Sequence, residues 1–392
     1  SMNVREGYDL SCMVFDSKAR LLTQGSYSVP SFTGTAPQTI QHMLKKFPPE
    51  TLDPGDVIMT NDPWMGTGHL FDINVMRPVF KGKKLVGYTM SVTHLPDIGG
   101  KGMSSDCTEI YHEGLRLPVC KLQDKGRLNE LIVDLIRTNV RVPEQTIGDL
   151  MANVACNEVG GRSLLEFMDE YRLEEIESLA DAINLHSELS MREKIKEIPD
   201  GNYKNSIQIE GPGYPILLNA TVDIRGDKVD IDFSGTDGPV RASINVPFCY
   251  TNAQSLYVIK CLTIPGLPNN EGSMRPISVR APDTCILNAQ PPWPTGGRHS
   301  VGHFVVPLLM GALAPALPKK VQADAAMMNV FSVQGRHRNG EEISSLFFLA
   351  GGLGAMYGLD GRAVTPAPSN MTVVPTEIWE NRTSMTIEKR AI

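Results

Sequence analysis

Apolar and polar positions alternate loosely from Tyr8 to Phe15, break at Asp16-Ser17-Lys18 and resume from Arg20 to Gln24, a pattern that predicts a β-hairpin. Between Ala36 and Phe47 the period lengthens. Ile40, Met43, Leu44 and Phe47 share one helical face there, and Pro48-Pro49 closes the helix. The turn Leu52-Asp53-Pro54-Gly55-Asp56 feeds a short strand over Val57 to Thr60. Ile73 to Phe80 and Leu85 to Val92 flank Lys81-Gly82-Lys83 and predict a second hairpin. Leu128 to Val140 and Pro143 to Glu170 read as helices, the second with Pro143 in its first turn and Glu144 against the helix dipole. Leu173 to Ile198 predicts a charged amphipathic helix with Ile176, Leu179, Ala180, Ile183 and Leu189 on its apolar stripe.

The pattern changes after Pro199-Asp200-Gly201. Tyr203 to Glu210, Ile216 to Ile224 and Lys228 to Phe233 then alternate with turn residues as a meander of strands. Ala253 to Leu262 and the strongly apolar His299 to Leu317 predict two further helices, and the tail from Ile343 to Ile392 predicts short strands between glycine-rich turns with no helical close. The expected class is α+β. A mixed α/β N-terminal domain of hairpins and helices is expected over 1–200, followed by a strand-rich domain over 201–392 that stops in mid-architecture.

Composition narrows the chemistry. The 392 residues exceed what one core usually organises, and 41% apolar with 21% charged residues is the balance of an ordinary globular protein. A net charge of -7 without a sustained basic run argues against nucleic acid as a partner. No stretch approaches the ~18 uninterrupted apolar residues of a membrane span, and no basic segment leads into an apolar run at the N-terminus. The seven cysteines include no CxxC pair and read as reduced, packed thiols, which fits the cytoplasm.

Two segments carry the candidate chemistry: Gly66-Thr67-Gly68-His69-Leu70-Phe71-Asp72 and Thr93-His94-Leu95-Pro96-Asp97-Ile98-Gly99-Gly100. Under the hairpin reading, His69 and Asp72 lie at the entrance of one strand and His94 just past the exit of its partner, so the three become neighbours. Two imidazoles and one carboxylate with open positions suit a divalent zinc, manganese or iron ion in a catalytic role. Because positions i and i+3 point to opposite faces of a regular strand, His69 and Asp72 can converge only if the glycines there hold a bend. Asp62 and Asp97 are candidates to accept the outward N–H of the imidazoles, and Asp97 serves equally as a further ligand. The plain alternatives are hydrogen-bonded turn histidines and turn-forming aspartates. His299 and His303 stand at i, i+4 spacing and read as caps of an apolar helix, while Gly296-Gly297 reads either as an anion-facing turn or as an ordinary one. No GxxxxGK[ST] loop occurs, so nucleotide binding is not expected of this chain.

Motifs in a fixed order extend over almost the whole chain. They are Asn61-Asp62-Pro63 through Asp72, His94 through Gly100, Glu109 through Pro118, Asn139-Val140-Arg141, Pro143-Glu144, Gly148-Asp149-Leu150, Phe233-Ser234-Gly235-Thr236, Asn245-Val246-Pro247 and Arg275-Pro276-Ile277. In these the sequence resembles the B-type subunit of the hydantoinase/oxoprolinase family, which includes N-methylhydantoinase, 5-oxoprolinase, caprolactam-type lactamases and the acetone and acetophenone carboxylases. The resemblance implies an A-type partner that binds Mg-ATP and phosphorylates a carbonyl or amide oxygen, with room for a small third subunit. It also implies a manganese-type site on the His-x-x-Asp pair plus a later His, which falls on His69, Asp72 and His94. Within Val4-Arg5-Glu6, Glu6 resembles an early acidic step of the family and becomes, with Asp97, a candidate catalytic carboxylate. Relatives continue past the equivalent of Ile392 into glycine-rich sequence, and they carry small polar residues where this chain has Arg298, His299 and His303.

The function expected from this resemblance is that of a metal-binding subunit in ATP-dependent ketone carboxylation through an enol phosphate, with bicarbonate as co-substrate. ATP-dependent hydrolysis of a cyclic amide is the alternative within the family. A non-catalytic structural subunit and a free-standing metallohydrolase are the rivals outside it.

Overall fold

The computed structural model describes residues 1–325, 328–365, 367–369 and 371–389. The first half is built on seven strands, β1 (Leu10–Asp16), β2 (Leu21–Gln24), β3 (Val57–Thr60), β4 (Asp72–Lys81), β5 (Lys84–His94), β6 (Cys120–Asp124) and β7 (Arg127–Leu128). They form one antiparallel sheet in the order β2-β1-β5-β4-β3-β6-β7, so both expected hairpins are present and lie side by side. Its helices are α1 (Met2–Arg5), α2 (Pro30–Lys46), α3 (Glu130–Asn139), α4 (Pro143–Glu170) and α5 (Glu177–Lys196). Side chains at odd and even positions go to opposite faces. Val57, Met59, Ile73 and Val75 pack with Ile132, Val133, Leu150 and Val154 of α3 and α4, whereas Met76, Tyr88, Met90 and Val92 pack with Phe32, Ala36 and Ile40 of α2.

Two helices of this half depart from the periodicity reading. α2 begins at Pro30, six residues before the expected start, through a stretch of weak helix formers that includes Ser31, Thr33 and Gly34. Tertiary packing carries that turn: Phe32 is buried, and a Cβ on Gly34 would stand 2.5 Å from the Cα of Ala253 on a neighbouring helix. Gly34→Ala is therefore expected to lower stability by about 2 kcal/mol in urea unfolding, through forced separation of that crossing. In α5 the inward positions are Ala180, Asn184, Ser187, Met191 and Ile195, and Leu189 is 53% exposed. Asn184 accepts the Gly272 N–H at 2.8 Å and Ser187 accepts from Asn270 at 2.7 Å, so polar positions face inward to hold a loop.

Beyond residue 200, β8 (Gly201–Ile209), β9 (Ile216–Arg225), β10 (Lys228–Asp232) and β11 (Ile277–Arg280) form a second sheet in the order β11-β10-β9-β8, parallel only between β10 and β11. Helix α6 (Phe248–Thr263) packs against α2, and the expected helix over 299–317 is divided into α7 (His299–Gly302) and α8 (Val305–Leu313). Pro307 has no N–H to give the His303 carbonyl, which is met instead by Val306 N–H at 3.1 Å in a tighter turn. A core of Leu218, Val222 and Ile224 with Leu308 and Leu309 fills this half.

The hairpin β12 (Asn329–Arg336) and β13 (Glu342–Leu349) returns to the first half, where Leu346 and Phe348 join the core beneath α2. The tail also contains α9 (Thr376–Arg382), a helix where short strands alone were expected, seeded by Pro375 and anchored by buried Trp379. The second half is thus α+β like the first. Residues 366, 370 and 390–392 of the tail lie outside the described residues. No helix among the described residues is long and apolar enough to cross a membrane.

Candidate metal centre

The β4–β5 register sets Asp72, the first residue of one strand, directly opposite His94, the last residue of the other. Both side chains lie on the sheet face that α2 covers. His69 reaches the same spot from the preceding turn, where Gly68 takes φ +99° and so supplies the bend that an extended i, i+3 pair lacks. The carboxamide of Asn61 staples this turn, donating to the carbonyls of Leu70 at 2.8 Å and Leu115 at 2.9 Å and accepting the Leu117 N–H at 2.6 Å. His69, Asp72 and His94 are all buried, and one nitrogen or oxygen of each lies within 4.8 Å of the other two.

The outer nitrogen of each ring is fixed by a carbonyl. His69 donates Nδ1–H to Gly296 at 3.0 Å, and His94 donates Nδ1–H to Leu95 at 2.9 Å. Since a carbonyl only accepts, each neutral ring carries its proton on Nδ1 and turns an Nε2 lone pair into the cluster. Burial, with Arg298 beside it, lowers the His69 pKa, and burial with His69 beside it lowers that of His94 to about 3. Burial alone would raise Asp72, but His69 and the Arg298 guanidinium outweigh it and hold the carboxylate ionised. Asp72 Oδ2 accepts from Thr67 at 2.6 Å and from Arg298 at 2.8 Å. Asp72 Oδ1 and His94 Nε2 have no hydrogen-bond partner among the described residues, and His69 Nε2 lies 3.0 Å from Asp72 Oδ2 without an aligned hydrogen bond. Three buried lone-pair donors turned toward one point are a costly arrangement for a packed interior and a suitable one for a divalent cation.

Other residues complete the pocket. Arg298 lies 4.4 Å over the Tyr250 ring and donates Nε–H to the Thr67 carbonyl at 2.8 Å, and it fills the space that a Cβ on Gly68 would occupy. Glu113 accepts the Gly296 N–H at 2.8 Å and the Ser243 hydroxyl, so a buried carboxylate holds the residue whose carbonyl orients His69. Burial pushes the Glu113 carboxyl up. Asp9, just before β1, lines the cavity with His299 and His303, and burial followed by the nearby Asp72 charge raises its pKa. The cavity measures about 50 Å³, room for an ion with a water or two.

The remaining sequence candidates lie elsewhere. Asp97 spends one oxygen on the Gly99 N–H at 3.1 Å and the Arg141 guanidinium at 3.0 Å and the other on the Arg141 N–H, so it builds a turn and orients no imidazole. Glu6 pairs with Arg5 at 2.9 Å outside the cavity. Asp62 caps the Trp64 N–H at 3.0 Å and faces Arg116. The carbonyls of Gly296 and Leu95 do the orienting expected of these carboxylates. Gly296 and Gly297 spend their N–H groups on Glu113 and on the Ser243 carbonyl, leaving none for an external anion. His299 opens α7 and His303 is its C-cap, in keeping with the expected capping, and both also line the cavity. Asp9 and Glu113 gave no signal in spacing or periodicity, whereas Arg298 was visible as a charged residue where the resembled family carries small polar ones.

Comparison with known proteins agrees with this architecture. The caprolactamase subunit beta of Pseudomonas jessenii is 30% identical over 369 residues, which cover 90% of this chain and 62% of that protein. The crystal structure of the ATP-dependent caprolactamase from Pseudomonas jessenii superposes with a TM-score of 0.88 at 28% identity, covering 96% of this chain and 67% of that one. A nucleotide-free acetone carboxylase structure shares the fold, with a TM-score of 0.87 at 19% identity over 97% of this chain and 54% of that chain. The chain therefore spans a little over half to two thirds of these relatives. All of its residues, 1–392, match the family described as Hydantoinase B/oxoprolinase, and the chain belongs to that family.

Proposed function

We propose that this chain is the metal-holding unit of an ATP-dependent enzyme that hydrolyses a cyclic amide, working in the cytoplasm with an ATP-binding partner subunit. The observation that carries the reading is the convergence of three buried ligand side chains, His69, His94 and Asp72, each offering an atom within 4.8 Å of the other two. The choice of cyclic amide over ketone rests on the caprolactamase subunit at 30% identity, since the carboxylase likeness at 19% supports the fold alone. Ketone carboxylation was the reading the sequence favoured, and it needs the same donors.

His69, His94 and Asp72 would hold the ion, and a divalent zinc, manganese or iron ion bound there supplies Lewis acidity to a carbonyl or phosphorylated amide oxygen. The protein's own part is orientation. Gly296 and Leu95 keep both Nδ1 atoms protonated, Thr67 and Arg298 occupy one Asp72 oxygen and leave the other free, and Asp9 offers a carboxylate at the cavity wall that can take or return a proton. A cyclic amide is larger than the cavity and reaches the cluster only when one wall moves. Hairpin β12–β13 contributes Val330 and Phe348 to that wall and belongs to a two-stranded sheet only.

The test is to purify the chain with its ATP-binding partner, measure metal by elemental analysis, and follow ATP consumption with caprolactam, 5-oxoproline, N-methylhydantoin and acetone, each with and without bicarbonate. Near-stoichiometric metal and bicarbonate-independent turnover of one of the cyclic amides are expected. Turnover of acetone only when bicarbonate is present would replace hydrolysis by carboxylation, and turnover without any metal would remove the metal reading.

A further inference from the structure

On the opposite face of the first sheet, Cys12 of β1 and Cys156 of α4 bring their sulfurs to 3.2 Å across 144 residues of chain. Neither thiol is sealed away, since both residues are half-buried. Cys107, Cys249 and Cys285 are buried. We propose that Cys12 and Cys156 form an oxidative modification site at which a peroxide-class oxidant makes a disulfide between β1 and α4.

The geometry asks little of the fold. A disulfide needs its sulfurs at about 2.0 Å, so the pair closes by about 1 Å, within reach of side-chain rotation. Both ends are held in place. Cys12 is registered opposite Ser91 of β5, and Asn157, next to Cys156, donates to that Ser91 hydroxyl at 3.0 Å and to the Val75 carbonyl at 2.9 Å. The two thiols also differ in acidity: their mutual hydrogen bond lowers Cys156 to about 7 and raises Cys12, which separates an attacking thiolate from a resolving thiol.

The chemistry balances with hydrogen peroxide as oxidant. The Cys156 thiolate attacks one peroxide oxygen, the O–O bond breaks, and the departing hydroxide takes a proton to leave as water, giving a sulfenic acid. Cys12 then attacks that sulfur, the S–O bond breaks, and the Cys12 proton leaves with the hydroxyl as a second water. Two thiols are oxidised and one peroxide is reduced. The product ties β1, which leads from Asp9, to α4, whose Asn153 donates to Thr93 beside His94. Oxidation thereby braces the strand pair that ends at the candidate metal cluster.

The experiment treats the full chain with hydrogen peroxide and maps its peptides without reduction. A Cys261→Ser background removes the exposed thiol. A peptide linking Cys12 to Cys156, two fewer titratable thiols, a higher unfolding temperature and reversal by dithiothreitol are expected. Cys12→Ser, or Cys12→Ala if the serine variant unfolds, should leave a sulfenic acid on Cys156 that dimedone captures, and Cys156→Ala should leave Cys12 reduced. Wild-type protein in which both thiols stay free, or in which Cys156 carries dimedone while Cys12 remains reduced beside it, would overturn the assignment.

Discussion

His69→Ala and His94→Ala are each expected to leave the purified chain without stoichiometric metal, and to lower ATP-coupled turnover of the complex by about 10³-fold. Each substitution deletes one of three converging donors, and no fourth carboxylate, imidazole or thiol stands within the same 4.8 Å cluster among the described residues to replace it. Two donors seldom retain a divalent ion against solvent, and several kcal/mol of Lewis-acid stabilisation leave with it. The fold should survive, because β4 and β5 pair over their whole length and the Asn61 staple does not involve either ring. Circular dichroism and urea unfolding on the same samples separate metal loss from unfolding. Variants that keep both metal and turnover would make the two imidazoles packing residues and leave this chain a scaffold for its partner.

The route from sequence to this cluster was short for some residues and closed for others. Asp72 and His94 could be brought near one another because Lys81-Gly82-Lys83 marks the hairpin turn, but their direct opposition depends on a one-residue register shift at Val79/Phe80 that no local signal marks. His69 followed once Gly68 was allowed a left-handed backbone. Asp9 belongs to the pocket only because β1 pairs with β5 rather than with another strand, and strand order is not written in local periodicity. Arg298, His299 and His303 arrive from more than 200 residues away through the crossing of α6 on α2, a contact set by Gly34 against Ala253.

Asp62 and Asp97 were chosen because acids near histidines often orient them, and Glu6 because it resembles an early acidic step of the family, yet here carbonyls do the orienting without a charge to bury. Asp97 went instead to Arg141, where two donors of one residue and a turn N–H satisfy it completely. Glu113 shows the converse. Its neighbour His112 faces Glu109 instead, and Glu113 acts on His69 through the backbone of Gly296, a relay that exists only after the two halves of the chain have packed.

Acid should unfold this protein early. In metal-free protein, His94 and His303 both have pKa values lowered to about 3, burial being the first cause in each case, against an ordinary value of 6.5. The unfolded chain therefore binds two protons, as pH falls through 6.5, that the folded chain refuses until near pH 3. Each histidine's contribution is complete above 6.5 and shrinks below it, by about 2 kcal/mol per residue between pH 7 and pH 5, or about 4 kcal/mol for the pair. Asp9 and Glu113 are shifted upward and act in the opposite sense, so the wild-type curve alone mixes the signs. His303→Gln isolates one histidine, because glutamine carries a penalty that does not change with pH. Urea unfolding in a chelating buffer should find the wild-type advantage over His303→Gln smaller at pH 5 than at pH 7 by about 2 kcal/mol. An advantage of the same size at both values would mean that the folded protein protonates His303 as readily as the unfolded chain, and that the histidine wall of the cavity is wet and open rather than dry.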